Sequence, residues 1–206
     1  AAQDAGYFNA EMAPIEVKTR KGKEKMEKDE HPKPQTTPEQ LAKLPCVFKK
    51  DGTVTAGNAS VSTARPWLLK AAPQTFPKFI VATLIFYYYY FCNLTNRAHR
   101  FPTGPVPAIT EVLKKAGLTL KDMDLVEVNE AFAPQYLAVE KVLGLDPEKT
   151  NVNGGAIAIG HPLGASGSRI TAHLVHELRR RGGKYAVGSA CIGGGQGIAV
   201  VIENTA

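Results

Sequence analysis

The second half of this 206-residue chain predicts a layered α/β domain, and three observations carry the prediction. Amphipathic helical stretches alternate with short apolar runs from residue 104 onward. Each of the longer helical stretches ends at a glycine. The apolar runs are rich in valine and isoleucine and short enough to be strands.

Taken in order, "PVPAITEVLKKAGL" (105–118) sets Val106, Ile109, Val112, Leu113 and Ala116 on one helical face and stops at Gly117. "LTLKDMD" (118–124) starts a second, short helix, and "LVEVN" (125–129) is a buried strand. "EAFAPQYLAVEKVLG" (130–144) is a helix ended by Gly144, and "TNVNGGAIAIG" (150–160) reads as a strand running into a glycine loop. "GASGSRITAHLVHELRRRGG" (164–183) is a helix whose small residues predict a buried first half. "KYAVGSACIGG" and "QGIAVVIEN" (184–194 and 196–204) are two apolar strands joined by a glycine turn.

Residues 1–58 differ: they are polar, proline-punctuated and of little periodicity, as an ordered excursion from a core would be. Their one predicted element is a short helix in "TPEQLAKL" (37–44), with Thr37 as N-cap and Glu39 in the first turn.

Twenty-five Lys and Arg against nineteen Asp and Glu give a net charge of +6, concentrated in "KTRKGKEKMEK" (18–28) and in Arg179, Arg180 and Arg181. Neither run has interleaved aromatics or a nucleic-acid-binding module around it, so solvated faces or attraction for an acidic metabolite fit better than nucleic acid. The cysteines at 46, 92 and 191 form no disulfide or metal spacing. The apolar run Phe79–Cys92 has 14 residues, short of the ~20 a membrane helix needs, so no integral membrane insertion is expected.

The stretch 61–103, with four consecutive tyrosines, belongs to neither pattern. If "TARPWLLK" (63–70) is encoded ACG GCG CGG CCG TGG TTA TTA AAA, a preceding G and a one-base shift turn it into "DGAAVVIK", a glycine turn leading into a strand. "FPTG" (101–104) fits a pyrimidine-rich splice acceptor. The segment therefore reads as a frameshift followed by translated intron. A message with other codons there ends that reading.

Chemistry concentrates in three motifs. In "GSACIGGGQG" (188–197), Cys191 ends an apolar run and is followed by three glycines. A thiol whose pKa a polar site lowers can both give and take a proton. Glycines let a backbone approach closely and turn N–H groups toward an oxyanion. His161 stands in "GHP", within "GGAIAIGHPLGASGSR" (154–169), and an imidazole can accept a thiol proton or donate to a thioester oxygen. Asn129 opens "NEAFA" (129–133) at a strand end, where it also reads as a helix N-cap with Glu130 in the first turn. His173 and His176, three residues apart on a helix, read as solvated or capping residues, because no further ligands accompany them.

Together with "DGTVTAGNAS" (51–60), these motifs in this order resemble the thiolases over residues 1 to about 60 and 104–206. The first sixty residues, "DEHPKPQTTPEQLAKL" above all, resemble the mitochondrial branch of the family, which implies the mitochondrial matrix. The resemblance implies a thiolase-like layered α/β/α C-terminal domain over 59–206, preceded over 1–58 by the end of a loop domain. It implies acyl transfer between a 3-ketoacyl-CoA and coenzyme A, with CoA and acyl-CoA as partners and no metal or redox cofactor. In that chemistry Cys191 shuttles a proton, the Gly193 N–H lines an oxyanion hole, and Asn129 orients a water for it. His161 activates a second cysteine and polarises the thioester. Lys33, Thr36 and Ser60 fall at family CoA contacts, Lys33 where relatives carry Arg.

The family assembles as dimers or tetramers. Its acyl-carrying cysteine lies in a half of the molecule that these residues do not match, and Cys46 and Cys92 lack its surroundings. The isolated chain is expected to be poorly stable and inactive. The rival expectation is a non-catalytic remnant that binds CoA or full-length subunits.

Overall fold

A computed structural model describes residues 1–29, 31–61, 104–192 and 196–205, together with the backbone of 85–87. Two sheets form. The smaller is an antiparallel hairpin of β1 (Ile15–Thr19) and β2 (Gly22–Met26), with Ile15 opposite Met26. The sequence reading did not foresee it, taking the lysine run as a solvated face or an attraction for an acidic metabolite within an ordered excursion. The signal lay in the alternation of "IEVKT", whose Ile15, Val17 and Thr19 are the half-buried positions. Helix α1 (Pro38–Ala42) forms as expected: Thr37 Oγ1 accepts from Gln40 N, and Gln40 Oε1 accepts from Thr37 N.

The larger sheet has the order β3-β6-β5-β4, built from β3 (Ile85–Tyr87), β4 (Leu125–Val128), β5 (Tyr185–Ile192) and β6 (Gln196–Glu203). β4 and β5 are parallel, Val128 opposite Ser189, and β6 turns back antiparallel on β5. β3 pairs antiparallel with β6 through three residues, so the outer edge of β6 is partly covered. The rest of residues 62 to 103, including most of the Phe79–Cys92 run and of the stretch read as a frameshift and intron, lies outside the described residues. Among the described residues no helix is long and apolar enough to cross a membrane.

Helices cover both faces of this sheet, giving the α/β/α layering. Helix α2 (Pro105–Ala116) and α3 (Ala133–Leu143) lie on one face, where Ile109, Val112 and Val139 pack with Val126, Val128, Val187 and Val201. α5 (Ser166–Arg181) covers the other, bringing Ile170, Leu174 and Leu178 onto Leu125, Ala186 and Ile202. Alternate residues of β4 and β5 thus serve opposite layers, as the pleat requires. Truncating a fully buried side chain such as Ile109 or Leu174 to alanine costs about 2–5 kcal/mol. Both long helices α2 and α5 end on left-handed glycines, Gly117 and Gly182. Gly197 has no room for a side chain, since a Cβ would run into the Gly104 carbonyl at the head of α2.

Two expectations fail here. "TNVNGGAIAIG" contains no strand: Thr150 makes a single parallel bridge to Val126, and Ala156–Ile159 is a helical turn, α4. The apolar run misled because it is too short for periodicity to separate helix from strand. The small residues of α5 do not all face inward either: Gly164, Gly167 and Ser168 are exposed, and a Cβ at either glycine would meet open space.

Candidate active site

Asn129 and Cys191 lie at the C-terminal ends of the parallel pair β4 and β5. Asn129 follows β4 directly, and its N–H donates to Ser189 O at 2.9 Å, two residues before Cys191. Open α/β sheets place their ligand sites at such strand ends. The Asn129 side chain is completely buried, and neither carboxamide atom has a hydrogen-bond partner among the described residues. A buried carboxamide left unpaired costs about 1–3 kcal/mol, so the arrangement is not one that stability alone would select. Asn129 is not the N-cap of α3: that helix starts at Ala133, capped by Phe132, and Glu130 lies before its first turn. Pro134 at the second helical position fixes the later start.

Glu130 turns the other way. Its carboxylate accepts from Ile157 N at 3.1 Å and Asn151 Nδ2 at 3.2 Å. A Cβ at Gly155 would fall on the Glu130 carboxyl, so a side chain there would push that carboxylate off its donors. Burial raises the Glu130 carboxyl above its ordinary value, partly offset by these two donors. Asn151, held at φ 48°, also bonds both backbone groups of Val128, so one side chain closes the end of β4. Sequence reading did not single out Glu130 or Asn151.

α4 leads through Gly160 to His161, whose N–H donates to Val61 O at 3.0 Å. The strap 58–61 ties this loop to the Asn129 loop: Ser60 N and Oγ both donate to Ala131 O at 3.0 Å, and Ala133 N donates to Asn58 O at 2.8 Å. The His161 ring is half-buried, its Nδ1 2.5 Å from Ser166 Oγ. Burial, and secondarily the Arg169 cation, push its pKa below the usual imidazole range. It is therefore mostly neutral near pH 7, as a proton acceptor must be.

Cys191 is a half-buried free thiol near the end of β5, opposite Gly197. Contrary to expectation, its pKa is raised, because burial penalises the thiolate. Gly193, expected to line an oxyanion hole, lies outside the described residues.

Lys33 and Thr36 line a cleft of about 600 Å³ that runs from the first residues of the chain to Ala59, Val61 and α4. Asn153 and Ile157 to Ile159 form its inner wall, one turn before His161. Ser60 lies between two cleft residues, with its hydroxyl committed to Ala131.

His173 corrects the solvated reading: it is 2% exposed, with Nδ1 2.8 Å from Glu11 Oε1 and Nε2 3.3 Å from Asn153 Nδ2. Beside it Arg169 Nη1 reaches Glu127 Oε1 at 2.6 Å, both side chains buried. No group of three or more potential metal ligands exists among the described residues.

The sequence profile described as "Thiolase, C-terminal domain" matches residues 83–204, and "Thiolase, N-terminal domain" matches residues 1–63. The chain belongs to the thiolase family. Among curated relatives it is similar to the mitochondrial 3-ketoacyl-CoA thiolase of Bos taurus, 69% identical over 209 residues, covering 100% of this chain and 52% of that protein. A crystal structure of human mitochondrial 3-ketoacyl-CoA thiolase superposes with a TM-score of 0.82 at 62% identity, covering 100% of this chain and 52% of that one. The same human enzyme in complex with CoA gives 0.78 at 60% identity, covering 100% and 51%. The chain thus spans about half the length of these relatives.

Proposed function

We propose that this chain is the part of a mitochondrial-matrix thiolase that handles protons and binds coenzyme A, in an enzyme that splits a 3-ketoacyl-CoA with CoA into acetyl-CoA and a shortened acyl-CoA. The supporting observation is the buried, unpartnered Asn129 carboxamide at the strand end shared with Cys191 and tied to the His161 loop. Residues 1–58 act as the end of the loop domain and 59–206 as the C-terminal domain.

In the forward direction a cysteine outside these residues attacks the 3-keto carbon, after His161 has taken its proton. The C2–C3 bond breaks, and its electron pair leaves as the enolate of acetyl-CoA. Asn129, His161 and the Gly193 N–H stabilise that oxygen, directly or through a water. The Cys191 thiol then protonates C2, and its thiolate removes the proton of the incoming CoA, whose sulfur displaces the acyl group. The raised Cys191 pKa suits the donor half of this cycle and requires help from bound substrate in the acceptor half.

Lys33 and Thr36 serve the CoA phosphates and linker in the cleft, and Ser60 closes its floor. No metal or redox group is required. The bulky apolar residues next to the site, Val61, Leu163 and Ile192, are 48%, 69% and 41% exposed, as suits a surface that the rest of a homo-oligomeric enzyme covers.

The second reading is a non-catalytic thiolase remnant that binds CoA or full-length subunits, supported by the retained cleft. Calorimetric titration with CoA and a thiolysis assay with acetoacetyl-CoA, each on this chain and on a full-length form, separate the two. Turnover by the full-length form that is lost on Cys191→Ala supports the first. CoA binding without turnover in any form made from this gene supports the second. Absence of CoA binding in every form defeats both.

A further inference from the structure

His161 is held from one side only. Its Nδ1 lies 2.5 Å from Ser166 Oγ, and the Ser166 hydroxyl donates onward to Pro162 O at 3.0 Å. A hydroxyl has one proton, and a carbonyl oxygen can only accept. With that proton spent on Pro162, Ser166 Oγ can meet His161 Nδ1 only as an acceptor. The ring proton must then sit on Nδ1, and Nε2 must carry the lone pair. Among the described residues Nε2 has no hydrogen-bond partner, so it is the ring atom available for proton exchange. Ser166 is 5% exposed and begins α5, a rigid element packed on the sheet, so it is an anchored partner.

We propose that Ser166 is a positioning residue that fixes the tautomer of His161, holding a proton on Nδ1 so that Nε2 is the basic nitrogen. The inference rests on the thiolase reading for its purpose: with Nε2 basic, a thiol S–H bond breaks as an Nε2–H bond forms. The resulting imidazolium then donates from Nε2. Had the proton resided on Nε2, the unpartnered nitrogen could donate but not accept, and the activating step would have no acceptor.

The contrast with His173 shows that this is not how every histidine here is held. Both nitrogens of His173 have partners, Glu11 on one side and Asn153 on the other, so its ring is locked on both sides.

The test is long-range ¹H–¹⁵N NMR on the full chain labelled at its five histidines, with His161 assigned by its loss in a His161→Gln variant. The measurement is made above the His161 titration. A single Nδ1–H tautomer at His161 is expected in the native chain. Ser166→Ala should lose it, with the Nε2–H form that solvated imidazoles favour becoming the larger population. Ser166→Thr, which keeps the hydroxyl, should restore the native pattern. Far-UV circular dichroism accompanies each variant. An Nε2–H tautomer in the native chain overturns the proposal outright, without needing any variant to fold. An unchanged tautomer in folded Ser166→Ala overturns it too. None of these readouts involves CoA or turnover, so they stand apart from the thiolysis and CoA titrations that test the thiolase reading.

Discussion

The two ends of the β4–β5 strand pair are built on opposite terms. At the start of the pair, Asp124 Oδ2 accepts from Lys184 N at 2.6 Å and Tyr185 N at 3.0 Å. Asp124 N in turn donates to Tyr185 O, Asn204 N to Lys184 O, and Asn204 Nδ2 to Gly183 O. Each of these polar groups is engaged, and the end behaves as a clasp. At the other end, Asn129 is buried with both carboxamide atoms unengaged, the Cys191 thiol is raised by burial, and exposed Ile192 follows it. One end contributes stability and the other gives some up. A polar side chain kept buried without a partner supports the role proposed for the second end.

The sharpest way to break this comparison lies between the two ends, at the Glu127–Arg169 pair. Arg169→Met leaves the Glu127 carboxylate, 1% exposed, buried without its cation. Loss of one partner of a buried pair costs about 3–5 kcal/mol, so urea denaturation should show a chain near or past unfolding. A loss below about 1 kcal/mol would mean that water reaches Glu127, and that this region of the sheet is less dry than described.

Next in size is the test at the working end. Asn129→Leu removes an unsatisfied carboxamide for a side chain of similar volume, and stability should hold or rise by up to ~1–3 kcal/mol. In a full-length enzyme the same change should lower kcat by about 10²-fold or more, the usual cost of an oxyanion-hole donor. Destabilisation with unaffected turnover would reverse the roles assigned to the two ends. At the clasp, Asp124→Ala should cost about 1 kcal/mol, because its bonds are solvent-exposed, and should leave CoA binding unchanged.

The smallest expected effect concerns pH. Burial, with the Glu11 carboxylate adding to it, pushes the Asp29 carboxyl up to about 6. Its ordinary value is 3.8, so the folded chain holds this proton more tightly than the unfolded one. That favours folding at low pH, and the advantage fades as pH rises from 3.8 through about 6. His173 acts in the same sense: burial disfavours its charge, but the hydrogen bond to Glu11 and the surrounding carboxylates outweigh it and raise its pKa. Its contribution is present below 6.5 and lost as pH rises through the folded value. Thermal melts should therefore show stability falling as pH rises from 3.8 upward, the Asp29 share lost once pH passes about 6 and the His173 share lost above 6.5. Asp29→Asn should recover about 1 kcal/mol at the upper end, a figure discounted for the partial exposure of the group. A pH-independent difference between the two chains would remove Asp29 from this account.

The pattern of the sequence carried the layers. Apolar spacing, glycine stops and valine-rich runs placed α2, α3, α5, β4, β5 and β6, because each of these elements is long or periodic enough to state its own face. It also carried the motifs, and with them Cys191, His161 and Asn129, since local runs of glycine around reactive residues are visible without coordinates. Local pattern did not decide α4, a four-residue turn in an apolar run that fits helix or strand equally until Glu130 and Gly155 fix its start. Nor did it decide the β1–β2 hairpin, where charge masked the alternation.

Tertiary structure alone decided the partners. His161 and His173 are indistinguishable as letters, yet one meets Ser166 and keeps a nitrogen open, while the other is enclosed by Glu11 across 162 positions of sequence. Asn129, read both as an oxyanion-hole residue and as a helix cap, is not the cap and is buried with neither carboxamide atom paired among the described residues. The Cys191 thiol was expected to be acidic and burial made it less so. Periodicity is a property of neighbouring residues and survives in the string. Hydrogen-bond satisfaction and desolvation depend on what chain folding brings near, often from far along the sequence, and exist only once the fold is closed.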